Sequence, residues 1–340
     1  MERSPREGLP EYGIDRVVGN APDEMMRKTV LEIKEFAEKH DALDDSEKQF
    51  EVASSPEERE DYLNALAMVN ELRKIYGKEP LQLDIHNLHI LEFPENSTTQ
   101  WRGTALTKER HLWVTRVPSR LLMLHDLVHE LAHLGGYNVI QHDSFTETNE
   151  ATAGNYRFGT SIYSRNSVLG EDKTNERTAY FRNLNEALTE EIAIQLTQQY
   201  EQSKFQDEIH VIEEFKKWAT STENSNVENI DEILTVLELP NGVDRIYYRG
   251  YISARSIYQT LFQKISEANP NVFPSPEKVR RLFVDAQMTG NILPIGRLID
   301  NTYGKGTFRK KKEKDVNLEN LREYVDNLTP LEISTQDITI

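Results

Sequence analysis

Apolar positions change their period several times along the chain, and each change marks an element. Over residues 23–40, Met26, Val30, Ile33 and Phe36 recur every three or four residues, the spacing of one helix face. Residues 56–76 repeat the pattern with Tyr62, Leu66, Val69 and Leu72 and predict a second helix. The acidic stretch 41–55 reads as a loop, and residues 1 to about 22, rich in Pro, Gly and charge, as a poorly ordered arm. From Leu81 onward Leu83, Ile85, Leu88, Ile90, Leu91 and Phe93 predict a strand stopped by Pro94, with a turn over 95–100 and further strands at 105–106 and 111–116. Residues 121–137, LLMLHDLVHELAHLGGY, return to helical spacing through Leu124, Leu127, Val128, Leu131 and Leu134. Pro118 and Ser119 suit the start of that helix, and Gly135 and Gly136 suit its end.

The stretch 141–178 is polar and bridges two helical runs; 156–163 alternates weakly, as one strand of a hairpin would. Beyond Tyr200 the pattern is helical almost throughout, over 205–219, 227–237, 251–268, 276–288 and 294–303. The order of elements predicts an α+β fold, mainly α. Its parts are an amino-terminal arm with helices (1–80), a core of small sheet and helices (81–200) and a helical carboxy-terminal subdomain (201–340).

Composition narrows the partners. A chain of 340 residues can bury a sizeable core, and its formal charge of -17 argues against nucleic acid and anionic membrane. The basic run at 305–314, KGTFRKKKEK, reads as an exposed loop or a self-complementary patch. Neither a secretory apolar segment nor a membrane-length apolar run occurs, so a cytoplasmic location is expected. Cysteine is absent, which leaves histidine and carboxylate as the only ligands for a zinc site.

Such residues occur at the right spacing. His129-Glu130-Leu131-Ala132-His133 is an HExxH sequence. On a helix, residues four apart lie one above the other about 6 Å apart, so two imidazoles can converge on one ion while Glu130 flanks it as a general base. The alternative is a pair of core histidines satisfied by hydrogen bonds. A catalytic zinc needs a third protein ligand. Downstream, Leu184-Asn185-Glu186-Ala187-Leu188-Thr189-Glu190 forms another helical run whose Glu186 and Glu190 share a face.

In these two motifs, over roughly residues 84–199, the chain resembles the gluzincin metallopeptidases, in which an HExxH helix is followed by a helix bearing an NExxxD/E motif. The resemblance implies a zincin-like fold with a small sheet before the active-site helix, whose edge strand takes extended substrate. It also implies Zn²⁺ held by His129, His133 and Glu186, with Glu190 hydrogen-bonded to His129. A Tyr, His or Arg from a carboxy-terminal wall would stabilise the oxyanion, and within Tyr247-Tyr248-Arg249-Gly250-Tyr251 the candidate is Tyr248. Two departures stand out. The interval from His133 to Glu186 is long, and no GxMEN-like segment precedes the helix, which speaks against the aminopeptidase branch. His125 reads as a packing or supporting residue, because histidines eight apart on a straight helix are about 12 Å apart. His142 reads as a surface residue, and His40, His86, His89, His111 and His210 carry no motif. The expected function is zinc-dependent hydrolysis of peptide bonds in a peptide or protein substrate. The alternatives are a zinc-holding module that captures a peptide or partner without cleaving it, and a helical structural protein with an accidental HExxH.

Overall fold

A computed structural model describes residues 7–19, 21–38, 43–94, 102–106, 109–144, 151–165, 177–221, 227–238, 244–315 and 317–331. In chain order the elements are β1 (Glu7–Leu9), β2 (Ile14–Val18), α1 (Asp23–Glu38), α2 (Asp45–Lys48), β3 (Glu51–Val52), α3 (Pro56–Ile75), β4 (Leu88–Leu91), β5 (Gly103–Leu106), β6 (His111–Thr115) and α4 (Arg120–Gly135). There follow β7 (Asn138–Ser144), β8 (Ala151–Phe158), β9 (Ser161–Arg165), β10 (Arg177–Tyr180), α5 (Arg182–Lys204), α6 (Gln206–Ser221), β11 (Ile233–Glu238) and β12 (Asp244–Tyr248). The last five are α7 (Ile252–Ala268), α8 (Pro276–Thr289), α9 (Leu293–Tyr303), α10 (Thr307–Lys314) and α11 (Leu318–Asp326). The fold is mixed, mainly helical, with small sheets. Its contacts divide it into two compact units, one of Met1–Val30, Gly136–Leu188 and Tyr251–Ile340, the other of Leu31–Gly135 and Thr189–Gly250. Helices α1 and α5 each begin in the first and continue into the second.

In the second unit, a four-stranded sheet of order β3-β4-β6-β5 precedes α4. β4 and β6 are parallel, and β5 pairs antiparallel with β6 at the edge, in the register Gly103↔Val114 to Leu106↔His111. Leu43, Leu91 and Trp113 form a core beneath it with Phe50 and Phe93. Helix α3 opens on a capping box between Ser55 and Glu58 with Pro56 in its first turn. Helix α4 is buried from Leu121 to Gly135, which a helix apolar on most of its faces requires. Its start is satisfied by Ser119, whose Oγ accepts from Leu122 N–H at 3.0 Å and donates to Glu208 at 2.5 Å. At its end two fully buried arginines take the orphan carbonyls. Arg73 donates to Gly135 O at 2.6 Å and Arg110 to Leu134 O at 2.7 Å.

Three expectations are corrected. Residues 227–237 are not a helix: Ile233, Leu234, Thr235 and Val236 are buried in the β11–β12 hairpin, and a short apolar run of this kind carries no period that separates helix from strand. The amino-terminal arm is ordered over β1 and β2, with Leu9, Tyr12, Ile14 and Val17 buried. The described residues of the polar stretch 141–178 are mostly strand. Together these make the six-stranded sheet β1-β2-β7-β8-β9-β10 of the first unit, in which β2 and β7 are parallel. Residues 156–163 span the end of β8, the Gly159-Thr160 turn and the start of β9.

The rest of the first unit is the helical run α7 to α11, built on Tyr258, Leu261, Phe262, Val279, Phe283, Ile295, Leu298 and Leu321. The basic run is not an exposed loop: it forms α10, and Lys311 within it is fully buried. His142 is buried too, hydrogen-bonded to Thr29. The turn at 95–100 and His40 lie outside the described residues. Among the described residues no helix is long and apolar enough to cross a membrane.

Candidate metal centre

His129 and His133 stand one helical turn apart on α4, their ring centroids 4.9 Å apart and nearly perpendicular. Glu186 comes from the second turn of α5. One ligand atom from each of the three lies within 4.8 Å of the other two, so the group could hold a metal ion. Around a tetrahedral zinc with bonds near 2.1 Å, ligand atoms stand about 3.4 Å apart, so the side chains need close by little more than ~1 Å. Both histidines are buried and Glu186 is half-buried.

The hydrogen bonds decide which ring nitrogen each histidine presents. Glu190, one turn beyond Glu186 on α5, accepts from Nδ1 of His129 at 2.8 Å through Oε2. Its Oε1 accepts from Nε2 of His125 at 3.0 Å and from the backbone N–H of Gly250 at 2.5 Å. Burial alone would raise the Glu190 carboxyl, but the charge and hydrogen bonds of His125 and His129 hold it well below the usual carboxylate range. An ionised Glu190 requires a proton on Nδ1 of His129, so Nε2 is the nitrogen that could face a metal ion. His133 meets Thr189 Oγ1 through Nδ1 at 3.3 Å and is left to offer Nε2 likewise. Nitrogen and carboxylate donors in this number, oriented from behind, fit a zinc ion.

Glu130 lies under the edge strand. A methyl group built on Gly103 of β5 would sit 3.0 Å from both Cγ and Oε1 of Glu130, so any side chain there would push the Glu130 carboxylate aside by a few tenths of an ångström. One residue earlier, Arg102 approaches Asp126 at 3.5 Å. Burial raises the Asp126 carboxyl, and Arg102 opposes it. Gly250 is the counterpart on the far side, where a methyl would come 3.2 Å from Glu190 Oε2.

The predicted residues thus fall into two groups. His129, His133 and Glu186 come together, Glu190 bonds His129, and Glu130 lies beside the pair on the same helix. Tyr248 is half-buried at the end of β12, two residues before Gly250. Among the described residues its hydroxyl makes no hydrogen bond to His129, Glu130, His133 or Glu186. His125, read from its spacing as a packing or supporting residue, is bonded to Glu190, a partner the sequence did not name. Sequence reasoning passed over Gly103, Gly250, Arg73 and Arg110, which have no periodic signal. Comparison with known proteins adds no assignment: no family model, no curated protein and no solved structure matches the chain.

Proposed function

We propose that this chain is a zinc-dependent peptidase of the gluzincin type, with His129, His133 and Glu186 as ligands. The observation that carries the reading is the convergence of two buried imidazoles and a carboxylate from a second helix, with Glu190 setting the tautomer of His129. A chance HExxH gives no reason for a distant carboxylate to meet the pair, nor for another to bond it from behind. The sheet before α4 supports the same reading. Among the described residues β5 has β6 on one side and no strand on the other, and it runs directly over Glu130. An extended peptide added antiparallel to β5 would bring successive carbonyls past that carboxylate.

Zinc, when bound, would polarise a substrate carbonyl and lower the pKa of an attacking water towards 7. Glu130 takes the proton of that water and delivers it to the leaving amide nitrogen. Glu190, bonded to His129, keeps Nδ1 protonated throughout. Tyr248, two residues before Gly250 at the end of β12, is the proposed oxyanion donor.

The test is cleavage of a peptide library by purified, zinc-reconstituted protein, read by mass spectrometry. Wild type is expected to cut internal peptide bonds. Glu130→Gln keeps near-stoichiometric zinc and loses turnover by orders of magnitude, and His133→Ala loses both. Stoichiometric zinc without cleavage of any peptide would leave a binding module, and a chain that takes up no zinc refutes the site.

A further inference from the structure

The end of α5 that bears Glu186 is held by residues from the far end of the chain. Phe181, just before α5, has φ of 59°, a left-handed conformation that a phenylalanine adopts only when its surroundings impose it. Those surroundings come from α10. The Phe308 ring stacks on Phe181 with centroids 5.3 Å apart and planes 16° apart, and the Lys311 ammonium lies 4.9 Å above the Phe181 ring. Asp315, the residue that closes α10, accepts the Asn183 N–H at 3.0 Å and is also hydrogen-bonded by the Leu184 backbone. The Asn183 side chain donates back to the Asp315 carbonyl. Phe308, Lys311 and Asp315 are spaced i, i+3 and i+7 and share one face.

Asp315 is in turn fixed by its own partners. The Tyr258 hydroxyl donates to Oδ1, and Lys311 donates to that hydroxyl at 3.1 Å, all three groups being fully buried. A carboxylate placed there satisfies two of the orphan N–H groups at the start of α5 and opposes the positive end of its dipole. Glu186 lies two residues beyond Leu184. Its neighbour Asn185 is tethered separately, accepting the Thr160 N–H at 3.1 Å. None of these residues needs to touch the metal ligands to set where Glu186 projects.

We propose that Asp315, held by Tyr258 and Lys311, is a positioning residue for the metal ligand Glu186. This rests on the metal reading of α4 and α5. It gives the basic run a role: its buried face clamps the ligand helix, while Lys305, Arg309 and Lys310 are exposed.

The experiment is zinc affinity of the full-length apo protein, measured in competition with a chromophoric chelator, with melting temperature recorded for each variant. Asp315→Asn, which keeps shape and removes charge, is expected to weaken zinc binding about tenfold. Tyr258→Phe, which retains the ring, is expected to weaken it in the same direction by about threefold. Val279→Ala, a cavity on α8 of the same unit, lowers the melting temperature and leaves zinc affinity unchanged. In a Glu186→Ala background, Asp315→Asn should cause no further loss, because its effect passes through Glu186. Folded Asp315→Asn and Tyr258→Phe proteins with wild-type affinity overturn the proposal. So does an equal loss in the Glu186→Ala background, or an equal loss in Val279→Ala. If wild type binds no zinc, or Glu186→Ala binds it as wild type does, the metal reading fails and this inference with it.

Discussion

Glu190→Gln is the sharpest perturbation of the centre, because it changes one atom of a group with three donors around it. Oε1 accepts from His125 and Gly250, and Oε2 from His129. A glutamine offers one oxygen and one NH₂ group. If the NH₂ replaced Oε1, it would face a backbone N–H from 2.5 Å, and a backbone amide has no second tautomer to adopt. The oxygen therefore stays with His125 and Gly250, and the NH₂ faces Nδ1 of His129. Two donors then meet unless His129 moves its proton to Nε2, the nitrogen the ion needs. Loss of such an oriented partner costs about 10- to 100-fold in metal affinity, or roughly 1.4 to 2.8 kcal/mol. The side chain keeps its volume, so no cavity is made and the apo protein stays folded. The assay is a zinc titration against a chelator, with a parallel thermal melt in excess zinc, where the lost affinity appears as a smaller zinc-dependent rise. A folded variant that binds zinc within twofold of wild type would refute the tautomer argument.

Other perturbations test neighbouring parts. Gly103→Ala pushes a methyl to 3.0 Å from Glu130, so turnover should fall about 10- to 100-fold with zinc content unchanged; unaltered turnover would mean that β5 does not constrain the base. Arg73→Met removes the donors to Gly135 O and Glu79 O and should cost about 2 to 4 kcal/mol in denaturant unfolding, a loss below 1 kcal/mol contradicting the capping role. Burial pushes Lys311 down from 10.5 to about 8, so between those values the unfolded chain binds the extra proton and stability rises with pH. The penalty is full below pH 8 and gone above pH 10.5. Relative to Lys311→Met, wild type should gain up to about 3 kcal/mol across that window, and a pH-independent difference would show that the ammonium is not buried as described.

The parts of the centre legible in the sequence are those that lie on one helix at one period. His129 and His133 need only four-residue spacing to share a face, and Glu186 and Glu190 need the same. Helices α1, α3, α6, α7, α8 and α9 were legible for a like reason, since each buries a stripe against a core, and α4 by its apolar run with start and stop residues. Which strand forms the edge of the small sheet was not legible, because alternation marks a strand and not its place in a sheet. The six-stranded sheet was not legible either. Its strands pair residues as distant as Arg16 and Val139, and the polar residues of β7 to β10 hide the alternation that would mark them.

What remained invisible at the two ligand-bearing helices has another physical cause: a helix end must be satisfied in space, not in sequence. The last carbonyls of α4 are met by Arg73 and Arg110, and the first N–H groups of α5 by Asp315, from 62, 24 and 132 residues away. In a chain with 40 basic and 57 acidic residues, nothing in composition separates a buried Arg73 or Asp315 from a solvated one. Yet these ends are the ones that matter for the proposed metal site. His133 lies in the last turn of α4 and Glu186 near the start of α5, where unsatisfied backbone groups would let a helix fray and a ligand wander. A ligand set that must close by about 1 Å onto an ion tolerates little of that motion. Buried charge, costly in itself, is therefore expected where the two ligand-bearing helices end, and Arg73, Arg110 and Asp315 stand there.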